Sequence, residues 1–161
     1  MSTAIDTAKV EHRTLHFNTI NDVLAEIDRI AASDRAGTLR TTGNWSAGQT
    51  FGHLAAWINY AYEGYPTKPP WIIKLILKFQ KNKFMRGPLP RGVRIPGSPG
   101  GTYGVEPLST QEGYDRAVRA LNRLKAAPPS GPNVIFGPLS HQEWMTMHQR
   151  HAELHLGYLH P

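Results

Sequence analysis

The chain has no cysteine. Disulfides, thiolate metal ligands, iron–sulfur clusters and cysteine nucleophiles are therefore excluded, and any metal ion must be held by His, Asp, Glu or backbone oxygen. No apolar run approaches the ~20 residues that a membrane-spanning helix requires. The opening stretch, MSTAIDTAKVEHRTLHF, carries acidic residues and no apolar segment of signal-peptide type, which leads to the expectation of a cytoplasmic protein. There is also no internal repeat and no set of alternating segments strong enough to build a sheet. Charged residues make up only 19% of the chain against 40% hydrophobic, a balance that excludes disorder and suits one globular domain over residues 1–161.

The formal charge of +6 raises the question of nucleic acid. Most of the excess sits in residues 68–94, which carry Lys and Arg but no acid, so the basicity is local. Nothing resembling a recognition helix or an aromatic stacking platform accompanies it, and nucleic-acid binding is not expected.

What the chain does contain is four segments with a helical apolar period. Three of them open on a Ser followed three residues later by Glu or Gln, the pattern that satisfies the free backbone N–H groups of a first turn. These are Ser46/Gln49, Ser109/Glu112 and Ser140/Glu143, predicting helices over about 46–64, 109–126 and 140–159. An earlier helix begins less distinctly at Asn18 or Thr19, presents Ile20, Val23, Leu24, Ile27 and Ile30 on one face, and ends near Ser33. An N-terminal segment, 1–17, precedes it. Pro128 and Pro129 stop the third helix.

The connection over 65–108 is far longer than the ~2–8 residues that usually join neighbouring helices. Its first part, WIIKLILKFQKNKF at 71–84, places Trp71, Ile72, Leu75, Ile76 and Phe79 on one side and Lys74, Lys78 and Lys81 on the other, as a short basic amphipathic helix does. The expectation is that this apolar side covers the other helices; docking on an anionic membrane surface or an acidic partner protein is the alternative. The second part, 86–107, holds six Gly and five Pro and is expected to be an extended or turning loop. Four helices with such a crossover between the second and third describe an all-α, four-helix bundle of non-simple topology.

Histidines crowd the end of the chain. At 100° per residue His148, His151 and His155 project within about 60° of one another, with Trp144 on the same stripe. His151 and His155, spaced i and i+4, are either a hydrogen-bonded pair or half of a metal site. His53 is the candidate third ligand, an imidazole among apolar Leu54, Ala55, Ala56 and Trp57. A zincin-type protease is disfavoured: it needs Glu directly after the first His, whereas Glu153 falls about 160° from His155 on the wheel. His160, beyond the helix, is set aside. His148 is read as an outer hydrogen-bonding partner, with an alternative ligand as the second reading, and Trp144, with Gln49 and Tyr60 on the face of His53, as pocket residues.

Three stretches, GNWSAGQTFGHLAAWINYAYEGYP (43–66), RIPGSPGGTYGVEPLSTQEG (94–113) and FGPLSHQEWMTMHQRHAELHLGYLHP (136–161), resemble the DinB-like superfamily of bacterial four-helix-bundle proteins, and more closely an uncharacterised branch of it. There a Trp-Ser box opens the second helix, a His follows within two turns, and the last helix carries H-x-x-x-H-x-G. Trp45-Ser46, His53 and His151/His155/Gly157 match those positions. The resemblance implies a three-His site for nickel, zinc or iron, with an open coordination position of catalytic type. It also implies a small-molecule substrate and chemistry of low-molecular-weight-thiol S-transferase or hydrolase kind, with a homodimer as a superfamily-level expectation. The loop bearing Arg94, Gly100, Gly101 and Tyr103 is longer than is typical and is a candidate lid, a rigid surface crossover with Gly and Pro at its turns being the alternative.

Overall fold

Each long helix of the computed structural model starts at a side-chain cap, and the structure describes residues 4–68 and 70–161. The first three residues of the expected N-terminal segment, and the side chain of Lys74 on the expected basic face, lie outside this description. Helix α1 spans Ile20–Arg35 behind Thr19, whose hydroxyl accepts from the Asp22 N–H while the Asp22 carboxylate accepts from the Thr19 N–H. The sequence pattern obscures this start because Asp replaces the usual Glu or Gln. Helices α2 (Ala47–Glu63), α5 (Thr110–Ala126) and α6 (His141–Leu156) open on Ser46, Ser109 and Ser140, and all three expected reciprocal boxes form. Between them lie α3 (Trp71–Phe79) and α4 (Lys81–Arg86). Among the described residues the fold is mostly helical, with one pair of two-residue strands.

That pair corrects the expected end of the last helix. The helix stops at Leu156 rather than near 159, because β2 (Leu159–His160) pairs antiparallel with β1 (Arg40–Thr41). The Thr42 N–H adds a bond to the Tyr158 carbonyl. The backbone leaves the helix to satisfy its polar groups across the chain. The N-terminal segment lies over the same end, with the Arg13 N–H donating to the Gly157 carbonyl at 2.8 Å.

The core draws on all four long helices. Val23, Ile27 and Ile30 from α1 meet Phe51, Leu54 and Ile58 from α2, Leu121 and Leu124 from α5, and Trp144 and Leu156 from α6. Each such side chain contributes roughly 1.5–3 kcal/mol by leaving water. The α1 face read from the sequence is the buried one, with Leu24 at its margin.

Helix α2 packs most extensively on α5, and glycines set how close they come. A Cβ at Gly113 would overlap the Gly48 carbonyl, and one at Gly48 would overlap the backbone of Leu108 and Ser109. Neither obstacle is a side chain that can rotate away. Gly113→Ala is therefore expected to lower stability by about 1–3 kcal/mol through overpacking, read as a lower urea midpoint with an unchanged slope.

The crossover departs from expectation twice. The predicted helix over 71–84 is two helices, with Gln80 ending α3 and opening α4. Its apolar side also does not cover the core: Trp71, Ile72, Leu75, Ile76 and Phe79 are exposed, and the crossover's contribution to the core comes from Leu77, Phe84 and Met85. Periodicity identifies the apolar side of a helix but not whether anything lies against it. Residues 87–107 form the expected turning loop, interrupted by one 3-10 turn at Pro99–Gly101.

Candidate metal centre

Helix α2 carries His53 two turns in from its Ser46 cap, and α6 carries His151 and His155 one turn apart on the side facing it. The packing of these two helices brings one ring nitrogen of each imidazole within 4.8 Å of the others. The Nε2 atoms of His53 and His151 are 3.2 Å apart. Among the described residues, this is the group of His and acidic side chains that could hold a metal ion.

Tautomer logic supports the fit. The His53 Nδ1 lies 2.8 Å from the Tyr103 carbonyl, and a carbonyl can only accept, so Nδ1 carries the proton. The lone pair of His53 Nε2 consequently points into the cluster. Orientation of a ring by a backbone carbonyl on its far nitrogen is the arrangement that metal-ligating imidazoles use. The 3.2 Å between the His53 and His151 Nε2 atoms also suits two nitrogens that share one tetrahedral ion through bonds of ~2.0–2.1 Å.

Electrostatics keep the three rings neutral, as ligands must be. Burial pushes His53 down to about 4, against a smaller opposing effect of the Tyr103 carbonyl. Burial, reinforced by the other histidines, holds His151 and His155 well below the ordinary imidazole range. No carboxylate offsets this. Glu153 points away, as the wheel requires, accepting from the Phe17 N–H at 2.6 Å and from Arg150.

Aromatic rings enclose the cluster. The Trp45 indole stacks on His155 at 5.1 Å and 22° and tilts against His53 at 4.8 Å. Trp57 lies 5.8 Å from His151 and 6.0 Å from His53, and Tyr60 and Tyr65 continue outward from it. The Trp57 indole N–H is buried without a hydrogen-bond partner. Burial pushes Tyr65 up to about 12, so its hydroxyl stays protonated.

The remaining sequence candidates divide. Gln49 accepts from the Ser46 N–H and donates to the Val105 carbonyl, so it caps α2 and ties down the loop. Gly104, at φ +74°, lets that loop lie on α2, where a Cβ would strike Ala56. Of the four lid candidates, Tyr103 reaches the cluster through its carbonyl. Arg94 packs on Gly101 and Gly100 is exposed, in a turn closed by its own Ile95–Gly101 bond. His148 is buried, pushed down to about 3, and lies parallel to Trp144 at 6.3 Å. Its Nε2 is buried without a hydrogen-bond partner. Trp144 is a core residue.

Trp57, Tyr65 and His12 carried no assigned role in the sequence, and Trp45 only its place in the Trp-Ser box. Trp57 was findable, being four residues beyond His53 on the same helix face. His12 was not, since it donates to the Leu154 carbonyl across 142 residues. Its ring occupies the space a Cβ at Gly157 would need, which explains a glycine two residues after the last clustered histidine.

The fold and site thus define a mostly helical protein with a three-histidine cluster, buried at His53 and half-buried at His151 and His155, able to hold a metal ion. Residues 9–161 match the family described as Protein of unknown function (DUF1569), and the chain belongs to that family. Neither a curated protein nor a solved structure matches it.

Proposed function

We propose that this chain is a divalent-metal-binding protein of the DinB-like four-helix-bundle kind, one domain throughout, with His53, His151 and His155 as ligands to nickel, zinc or iron. The observation that carries the proposal is the convergence of three neutral imidazoles, two from one helix and one held by the Tyr103 carbonyl. Three protein ligands are the number found in catalytic sites, which keep a position open. The reaction class best suited is transfer involving a low-molecular-weight thiol, with hydrolysis of a small substrate as the competing class.

When bound, the ion supplies Lewis acidity that lowers the pKa of a thiol or water. The protein's own part is to hold the three rings neutral and oriented, with Trp45 and Trp57 screening them from solvent. The protonated Tyr65 and the unpartnered Trp57 N–H, beyond His151, are donors available to a polar group of the substrate.

Protein purified without a histidine tag is expected to carry about one divalent ion per chain. Replacing His53, His151 or His155 singly with Ala is expected to weaken binding at least 100-fold, since loss of an outer partner alone costs ~10–100-fold. Elemental analysis reads this directly, and unchanged metal content in all three variants would overturn the proposal. Incubation with a thiol and an alkylating electrophile, beside an ester substrate without thiol, then separates transferase from hydrolase.

A further inference from the structure

The most conspicuous feature that the histidine site leaves unused is the outer face of α3. Trp71, Ile72, Leu75, Ile76 and Phe79 are 73%, 52%, 49%, 50% and 83% exposed. At 100° per residue they sweep one arc of about 140°, with Leu77, which packs on the core, opposite its centre. The helix is therefore anchored by its narrow side and turns its broad apolar side outward. Contiguous exposed apolar surface of this kind marks a binding face.

Charge indicates what covers it. Lys78 stands at the edge of the apolar arc, and Lys68 and Lys83 are exposed before and after the helix. Lys81 is the lysine turned inward, paired with Glu143 of α6 at 2.6 Å. No Asp or Glu occurs anywhere in residues 68–94. Trp71 and Leu75 continue into a groove against residues 132–137, which Lys68 and Lys78 also line. A second copy of this face would oppose lysine to lysine, whereas an anionic lipid surface accepts both the apolar arc and the flanking cations. Among the described residues no helix is long and apolar enough to cross a membrane, so the mode is peripheral.

We propose that the outer face of α3 docks the protein on anionic phospholipid membranes, with Trp71, Leu75 and Phe79 entering the interface and Lys68, Lys78 and Lys83 meeting the headgroups. The test uses the full chain with sedimented vesicles of phosphatidylcholine, alone or mixed with phosphatidylglycerol, at low and high salt. Binding is expected only to the mixed vesicles and is expected to weaken with salt. The double variant Trp71→Ser/Phe79→Ser should partition on the order of tenfold less. Lys68→Gln/Lys78→Gln should lose a similar factor together with most of the salt dependence. Both variants should keep the helicity and metal content of the parent, because the substituted side chains are exposed. Absence of binding to mixed vesicles would overturn the proposal, as would undiminished binding of the Trp71/Phe79 variant. So would a dimer, seen by sedimentation velocity, that this variant dissociates without any effect of lipid.

Discussion

Acidification of the metal-free protein from pH 7 to pH 5 is expected to remove at least about 4 kcal/mol of its unfolding free energy. The cause is histidine buried in neutral form. His53 and His148 are 1% and 5% exposed, and burial pushes them down to about 4 and about 3, against about 6.5 in an unfolded chain. Below 6.5 the unfolded state takes up protons that the folded state refuses, so stability is fully present above that value. It falls with decreasing pH until the folded groups themselves titrate. At 1.36 kcal/mol per pH unit for each group, two histidines contribute about 2 kcal/mol each by pH 5. His151 and His155 are shifted the same way, and so, less deeply buried, is His12. The carboxylates that are shifted, Asp6, Asp22, Glu112 and Glu143, move downward, so the interval from 6.5 to 5 belongs to the imidazoles. Urea midpoints at half-unit pH steps read the effect. His148→Gln should flatten the slope by about one proton, and stability that is level from pH 7 to 5 would contradict this account.

Glu153→Ala is expected to destabilise the protein by about 3–5 kcal/mol while leaving metal binding intact. Glu153 and Arg150 form an ion pair whose side chains are 8% and 6% exposed. The guanidinium also donates to the Phe17 carbonyl at 2.7 Å and to His16 Nδ1 at 2.8 Å, and the carboxylate accepts from the Phe17 N–H. The pair thereby ties the segment before α1 to α6. Removing the carboxylate strands a desolvated cation and an unsatisfied backbone N–H, and that loss outweighs the modest net worth of the pair itself. The double variant Arg150→Met/Glu153→Leu should therefore be less damaged than Glu153→Ala. For a chain of this size the single change should lower Tm by roughly 10 °C. Equal metal stoichiometry before and after, at a temperature where both are folded, would show that Glu153 stabilises the fold without serving the histidines. Loss of metal in the folded variant would place Glu153 in the site.

Helix starts and buried faces were legible in the sequence because they depend on residues three or four apart. Ser46/Gln49, Ser109/Glu112 and Ser140/Glu143 each cap a helix, and the apolar stripe of α1 is the one that enters the core. The pairing of His151 with His155, and the exclusion of Glu153 from their side, follow from 100° per residue alone. The end of α6 was misjudged because Leu159 and His160 pair with residues more than a hundred positions earlier. His148 shares a helical face with His151 and also lies parallel to Trp144, a neighbour that spacing along one helix places but does not rank.

By itself, then, the sequence determined an all-α chain without thiolate chemistry, the capped starts of its helices and half of a histidine cluster, since each of these is decided by residue type or by spacing within one helix. Tertiary structure decided that His53, the sequence's candidate, meets the pair from another helix, and it alone decided that the Tyr103 carbonyl orients it. It also decided that Trp45 and Trp57 wall the cluster and that the apolar side of α3 is left bare. Those features arise from contacts between segments distant along the chain, where packing, not periodicity, selects the neighbour.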